Sequence, residues 1–476
     1  MTTKDFAVFD SDSHVVEPSA LWERYLDPEY RTLGKHALWR QEGRTGAYLK
    51  VNGEIFRDRG NPNLPRHALW RPGMTWDAIG ELDPHVRHPM TEGASDPQAR
   101  LADMGAMGVD QSLLHPTWFA EGFFLVRDPD VAYALARAYN DWIADFCNTA
   151  PTRLFAAAIL PVQNMDFALE ELQRVARMPS FRAVFIRPMF IEDRYLNHPY
   201  YDPLWAELER LGITAAVHAT PGLWNPEWTS HGPFFEKIKD RLAQPAVPGG
   251  GGGPFAGGAA ASNTTFTRAT PLGHPLAPIL APWLDNHMFV ASTLIGFTVM
   301  ERYPAMKVVV AHGKASWMQE VLEKMEASTR VIPLLHHYPV STEPEEMWEH
   351  GNVMLGFDAE ERLIQKLPQD FAAKIVWGSR YPHHDATSAW DAIARLRDAN
   401  VPEPLIARMM GQNGADQFGI EPVHATARSL GSIVSNVRGP PKPTGRDHEG
   451  QHRPHPDQPC RESAATGRVD RGLPGA

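Results

Sequence analysis

Cysteine is nearly absent from this 476-residue chain, which has only Cys147 and Cys460. That scarcity excludes a disulfide framework and a thiolate zinc site, so any metal must be held by histidine and carboxylate. Positive charge is in deficit too: the formal net charge is -11, and nothing gathers lysine and arginine into a dominant patch. Neither nucleic acid nor an anionic membrane is therefore the expected partner. Long apolar runs are missing as well. No stretch approaches the ~18 residues that span a bilayer, and the opening Met-Thr-Thr-Lys-Asp-Phe has no apolar core for a secretory signal. The expectation is a cytoplasmic protein that meets a small molecule. After Phe418 there is no Phe, Trp or Tyr, and Pro, Gly, Arg and His dominate to Ala476, leaving little to bury. Residues 421–476 read as a disordered tail. The tail's His424, His448, His452 and His455 are too irregularly spaced to suggest a metal site.

What is present is a repeating alternation of strand and helix. Composition is ordinary for a globular protein, with 43% hydrophobic and 10% aromatic residues. Val8-Phe9 opens a first strand, followed by strands at 111–116, 154–161, 183–188, 213–218, 307–312, 353–357 and 374–378. Helices are expected between them at 100–108, 130–148, 166–177, 201–211, 292–302, 316–328, 360–366 and 389–399. Eight strands with intervening helices predict a parallel closed (β/α)8 barrel, a TIM barrel, over residues 1–420. Two stretches interrupt the rhythm. Residues 21–97 are rich in Trp, Pro, Arg and Gly with little period, and residues 221–284 contain Pro248-Gly-Gly-Gly-Gly-Gly-Pro254. Both read as insertions over one end of the barrel.

In such a barrel, chemistry sits where the strands end. The first strand runs into Asp10-Ser-Asp-Ser-His14. Side chains on a strand alternate in direction, so Asp12 and His14 project to one side and offer lone pairs to one point, a pattern that suits a divalent cation. The other strands end in His115, Arg187, His218 and His312, and the last in Ser379-Arg-Tyr-Pro-His-His-Asp385. One histidine at a strand end is more often a satisfied structural residue. Several converging with a carboxylate on one rim are hard to explain by packing, because a neutral imidazole gains little there over an apolar side chain.

These motifs, taken in order, resemble the amidohydrolase-related family, which includes the aminocarboxymuconate semialdehyde decarboxylase-like enzymes. The resemblance is carried by Asp-x-Asp-x-His-Val-x-Glu-Pro at 10–18, Arg-Leu-x-x-Met at 100–104, Ala-Tyr-Asn-x-Trp at 138–142 and Leu-Pro-x-Gln at 160–163. Val217-His218, Ala311-His-Gly313 and Trp-x-Ser-x-Tyr-Pro-His-x-Asp at 377–385 complete it. It implies a metal-dependent barrel with one divalent ion, Zn2+ or Mn2+, that decarboxylates or hydrolyses a small carboxylated or cyclic substrate. By the same resemblance Asp12, His14 and His218 would hold the metal and His312 would serve as acid, base or electrophile; Arg187 and His115, at strand ends on the same rim, are the candidates to bind the substrate. The fourth strand offers Arg187 and no lysine. Binuclear members of the superfamily bridge two metals through a carboxylated lysine there, so a mononuclear site is implied. A homodimer is compatible with all of this.

One position departs from the pattern. The family's last strand ends Ser-Asp-Tyr-Pro-His, with the aspartate binding metal and handling protons, whereas this chain has Arg380. An arginine ~4 Å from a divalent ion would be repelled by about 8 kcal/mol at an effective dielectric of ~20. The expectation is that Arg380 points away, or that the metal is displaced or absent. His383 or Asp385 would replace the missing ligand if the loop folds back; the simpler reading leaves both on the surface. A barrel that has lost catalysis and binds small acids through Arg380 is the competing class.

Overall fold

The alternating apolar segments form eight parallel strands in the computed structural model, which describes residues 3–42, 47–58, 63–192, 194–219, 286–296, 298–331 and 342–424. The strands of the main sheet are β1 (Phe9–His14), β5 (Gln111–His115), β6 (Leu154–Ala158), β7 (Phe181–Ile186), β8 (Thr214–His218), β9 (Val308–Ala311), β10 (Val353–Phe357) and β11 (Ile375–Trp377). They lie in that order, each parallel to the next. Helices cover their outer face. Strands such as Val-Val-Val-Ala in β9 are buried along their whole length, as expected when a parallel sheet has both faces covered.

Closure is made just beyond the last strand. The Arg380 amide donates to the Asp12 carbonyl at 2.7 Å, and the His14 amide donates to the Tyr381 carbonyl at 2.7 Å. Side chains reinforce the seam: Ser11 Oγ donates to the Trp377 carbonyl at 2.5 Å, and the Asp10 carboxylate accepts from the Ser379 amide at 2.8 Å and from Ser379 Oγ at 2.5 Å. Glycine at 378 permits the approach, because a Cβ there would stand 2.3 Å from Asp12 Cβ and 3.1 Å from the Asp12 nitrogen.

Local chemistry explains where the covering helices begin. Asp128 caps Pro129–Cys147 through the amides of Asp130 and Val131, Asn164 caps Met165–Val175, and Ser388 caps Ala389–Asp398. Asn140, from the Ala-Tyr-Asn-x-Trp motif, donates to the Ile159 carbonyl at 2.9 Å and accepts from the Ile159 amide at 3.0 Å. It therefore satisfies the backbone just past β6 and has a structural task.

Two expectations need correction. Residues 21–97 are not an aperiodic excursion: they contain short helices and an antiparallel sheet of β2 (Leu38–Glu42), β3 (Ala47–Val51) and β4 (Glu54–Asp58). Leu38 and Leu49 of that sheet are buried, and they pack on the helix Trp118–Phe123, where a Cβ on Gly122 would lie 2.6 Å from Leu38. The sheet thus builds a wall beside the end of β5. The helix expected over 292–302 is instead a wide-wound turn, Phe289–Gly296, and a short helix, Val299–Arg302, separated by Thr298 at φ 56°. All of the 221–284 insertion and most of the 421–476 tail lie outside the described residues. Among the described residues no helix is long and apolar enough to cross a membrane.

Replacing Gly378 by alanine forces a methyl group into the β1–β11 seam against backbone that cannot yield. The variant Gly378→Ala should lose about 1–3 kcal/mol in urea unfolding. An unchanged unfolding midpoint would mean that the seam is looser than its geometry implies.

Candidate active site

Strand register brings the polar ends together. His14 pairs with His115 across β1 and β5, and His218 is level with Ala311, so His312 stands one residue beyond on the neighbouring strand. The result is a packed group of imidazoles at the mouth. Ring centroids of His14 and His218 are 4.8 Å apart, those of His218 and His312 5.1 Å, and those of His115 and His218 5.4 Å.

Asp12 lies among them. Its Oδ1 is 3.1 Å from His14 Nε2 and 3.2 Å from His218 Nε2, and those two nitrogens are 3.2 Å apart. Three donor atoms at the corners of such a triangle have the spacing that nitrogen and oxygen ligands take around one divalent ion with bonds of about 2.0–2.2 Å. Asp12, His218 and His312 also offer one ligand atom each within 4.8 Å of one another. Asp12 Oδ1 is buried with no aligned hydrogen bond among the described residues, and the Nδ1 atoms of His218 and His312 are likewise buried without one. The spacing of Asp12 Oδ1, His14 Nε2 and His218 Nε2 therefore fits a cation, and Asp12 Oδ1 is the buried acceptor among them that the protein leaves without a hydrogen bond.

Protonation favours the same role. Burial pushes His14 below its ordinary value, and burial holds His115 down at about 3. His312 is also down at about 3, through burial and then the charge of Arg380. Burial alone would raise Asp12, but His218 and His14 prevail and hold it well below the usual carboxylate range. At neutral pH the pocket thus presents an ionised carboxylate with neutral imidazoles at His14, His115 and His312. This is the protonation state that metal binding requires. The His14 tautomer follows from its neighbour: Nδ1 lies 3.2 Å from the Pro116 carbonyl, so it donates there and leaves the Nε2 lone pair facing Asp12 and His218.

Outer groups fix this arrangement. Arg100 is fully buried; its Nε donates to the Gly93 carbonyl at 2.7 Å, Nη1 to Ser13 Oγ at 2.8 Å, and Nη2 to the His14 carbonyl. The guanidinium also stacks over Tyr381, 4.4 Å from the ring centroid. It ties β1 to the loop after β11. Glu17 accepts the Thr117 amide at 2.8 Å and pins the turn that supplies the Pro116 carbonyl. Glu361 accepts the amides of Ala315 at 3.0 Å, Ser316 at 2.8 Å and Asp358 at 2.9 Å, anchoring the loop that carries His312. Sequence reading missed Glu361, which carries no motif. It also passed over Asp358, whose only signal is its place directly after β10.

The structure brings Asp12, His14, His115, His218 and His312 to one mouth. Arg187 is buried at the wall, its Nη1 donating to the carbonyls of Ala120 at 3.0 Å and Glu121 at 2.7 Å. The surface reading of the last loop is corrected. His383 stacks on His14 with centroids 4.1 Å apart, and its Nε2 lies 3.3 Å from Thr117 Oγ1. The Arg380 side chain is 18% exposed, its Nη2 pairs with Asp385 Oδ2 at 2.9 Å, and its charge depresses His312. The segment around residue 380 folds back because the Arg380 amide is held by the Asp12 carbonyl.

With this geometry in view, a family model described as Amidohydrolase matches residues 66–420. A gamma-resorcylate decarboxylase of Rhizobium sp. (strain MTP-10005) is 32% identical over 124 residues, which cover 25% of this chain and 37% of the relative. The chain thus spans little more than a third of that relative's length. Among solved structures, an amidohydrolase of Mycobacterium avium subsp. paratuberculosis K-10 superposes with a TM-score of 0.64 at 19% identity, covering 88% of this chain and 100% of that one. A 5-carboxyvanillate decarboxylase of Novosphingobium aromaticivorans, complexed with manganese and 4-hydroxy-3-methoxy-5-nitrobenzoic acid, gives a TM-score of 0.52 at 17% identity, covering 87% and 96%. At such identities both likenesses speak for the fold.

Burial raises Glu17 from its model-peptide value of 4.5 to about 7. A raised carboxyl binds its proton more tightly in the folded chain, so its contribution to stability is present below pH 4.5 and is lost as pH rises through 7. Glu17→Gln keeps an acceptor for Thr117 and removes the titration. Its stability relative to wild type should rise between pH 5 and pH 8 by the order of 2–3 kcal/mol in urea unfolding. A pH-independent difference would contradict the raised value.

Proposed function

Because the chain belongs to the amidohydrolase family, we propose that it is a metal-dependent decarboxylase of small carboxylated aromatic acids, with Asp12, His14 and His218 as ligands. The observation that carries this reading is the triangle of Asp12 Oδ1, His14 Nε2 and His218 Nε2, with edges of 3.1–3.2 Å. Relatives named as resorcylate and carboxyvanillate decarboxylases support the choice of reaction and of hydroxylated aromatic acids as the substrate class. Manganese, bound in the carboxyvanillate enzyme's structure, is the first ion to test, with Zn2+ as the alternative. A divalent ion bound here would supply a Lewis-acid point for substrate oxygens.

The rest is the work of this chain's side chains. Asp12, ionised and buried, fixes the negative charge of the ligand set, and the Pro116 carbonyl keeps His14 turned toward it. His312 is the proton carrier. It relays a proton from a ring hydroxyl beside the carboxylate to the ring carbon, its depressed basicity favouring handing the proton on over keeping it as imidazolium. As the C–C bond breaks, carbon dioxide leaves and its bonding electrons pass to that carbon. Loss of one hydroxyl proton and gain of one carbon-bound hydrogen balance the step, and a phenolate remains. His115 and Arg187, at the ends of β5 and β7, form the wall on which the ring rests, and Phe185 with Phe124 adds aromatic surface there, their centroids 6.3 Å apart. The small sheet β2–β4 limits the pocket beside β5.

Elemental analysis of purified protein should find about one equivalent of manganese or zinc, lost in His14→Ala and His218→Ala. Unchanged metal content in those variants would remove them from the site. Carbon dioxide release from hydroxybenzoic acids should fall by roughly 10²–10⁴ in His312→Ala. Undiminished release would take the proton role away from His312.

A further inference from the structure

Residue 380 sets a cation on the loop directly beyond β11, beside the Asp12, His14 and His218 donor group. Its backbone is left-handed at φ 56°, a conformation that a residue with a side chain adopts at a cost, and its amide is committed to the Asp12 carbonyl at 2.7 Å. The Arg380 side chain is 18% exposed and pairs with Asp385 at 2.9 Å. Asp358, Asp12 and Glu360 also act on its charge, and it acts on His312, so the guanidinium lies within the electrostatic reach of the ligand group. A lone cation there would repel a divalent ion in proportion to the product of their charges. A carboxylate in contact with it turns the monopole into a dipole, whose field falls away faster with distance.

We propose that Asp385 is the built-in counter-ion of Arg380, and that the pair acts as one unit that sets the affinity of the Asp12, His14 and His218 centre for its divalent ion. The inference rests on the metal reading above and deepens it. Asp385 comes five residues after Arg380, on a loop whose return is fixed by His383 against His14 and by the His384 amide donating to the Arg66 carbonyl at 2.8 Å. Its charge acts on His312 as well as on Arg380. The carboxylate absent from position 380 is thus present at the mouth, displaced along the loop and spent on neutralising the arginine.

The test is a double-mutant cycle on the full chain. Wild type, Asp385→Asn, Arg380→Gln and the double variant are stripped with a chelator and titrated calorimetrically with Mn2+ alone. Asp385→Asn should weaken Mn2+ binding about tenfold or more, Arg380→Gln should tighten it, and the double variant should return to within about threefold of wild type. Equal affinity in all four proteins would overturn the proposal. So would a double variant as weak as Asp385→Asn, since Asp385 would then act as a ligand. Should Asp385→Asn fail to fold, Asp385→Ser takes its place in the cycle: weaker binding that Arg380→Gln restores supports the pair, and unchanged binding ends it. Failure of folded wild type to bind either Mn2+ or Zn2+ is a separate result, which removes the metal centre and the pair's role with it.

Discussion

Eight parallel strands close into a barrel only where β11 returns to β1, and the mouth depends on how that seam is made. The seam is short. Two backbone hydrogen bonds, from Arg380 to Asp12 and from His14 to Tyr381, carry the closure past the end of the regular ladder. The residues that close the sheet are therefore the residues that bear the site, or their immediate neighbours. Closure through Asp12 and His14 sets the height at which their side chains enter the mouth, and the parallel register of the other strands brings His115, His218 and His312 to that height. Arg100 holds the same corner from outside through Ser13, the His14 carbonyl and the Tyr381 ring.

This arrangement concentrates unfavourable terms in one place. His312, Lys314 and Arg380 all have left-handed backbones, each costing about 1–3 kcal/mol where a glycine would be relaxed. Asp12 Oδ1 and several imidazole nitrogens are buried without aligned partners, and each such atom costs about 1–3 kcal/mol. Nothing in the barrel's construction requires these terms to coincide. They are sustained by the surrounding core, by Glu361 fixing the His312 loop through three backbone amides, and by Glu17 fixing the turn behind His14. A pocket that is buried, strained and rich in lone pairs is complementary to a small cation.

Much of this was legible from the chain, for reasons that differ by residue. The strands read clearly because parallel strands covered on both faces are nearly continuous apolar runs, as at Val308–Ala311 and Val353–Phe357. Asp12, His14, His218 and His312 were legible because strand ends in a barrel converge by topology, so position on a strand predicts position in space. The small sheet was not legible: β2–β4 lie between stretches rich in Pro, Gly and Arg, and their order comes from packing on Gly122 and its helix. Glu361 was hidden for a related reason, since a carboxylate serving backbone amides leaves no spacing pattern. His383 and Asp385 were judged as loop residues, and a loop's return path depends on hydrogen bonds such as Arg380 to Asp12 that no periodicity encodes.

Arg380 is where sequence pattern and physical environment part most sharply. Judged by the family's aspartate, it exchanges a ligand for a cation, and a barrel that merely binds acids would follow. Judged by its surroundings, it is one positive charge facing Asp385, Asp358, Asp12 and Glu360. An anionic ligand could pair with that guanidinium only by displacing Asp385, so Arg380 is not free to anchor an acid. A divalent ion meets the opposite balance. The carboxylates outnumber the arginine, the ion-pair partner is already in place, and the imidazoles of His14 and His312 are held uncharged. The field at the mouth is set by a sum over neighbours, in which Asp385 offsets part of the charge that residue 380 brings.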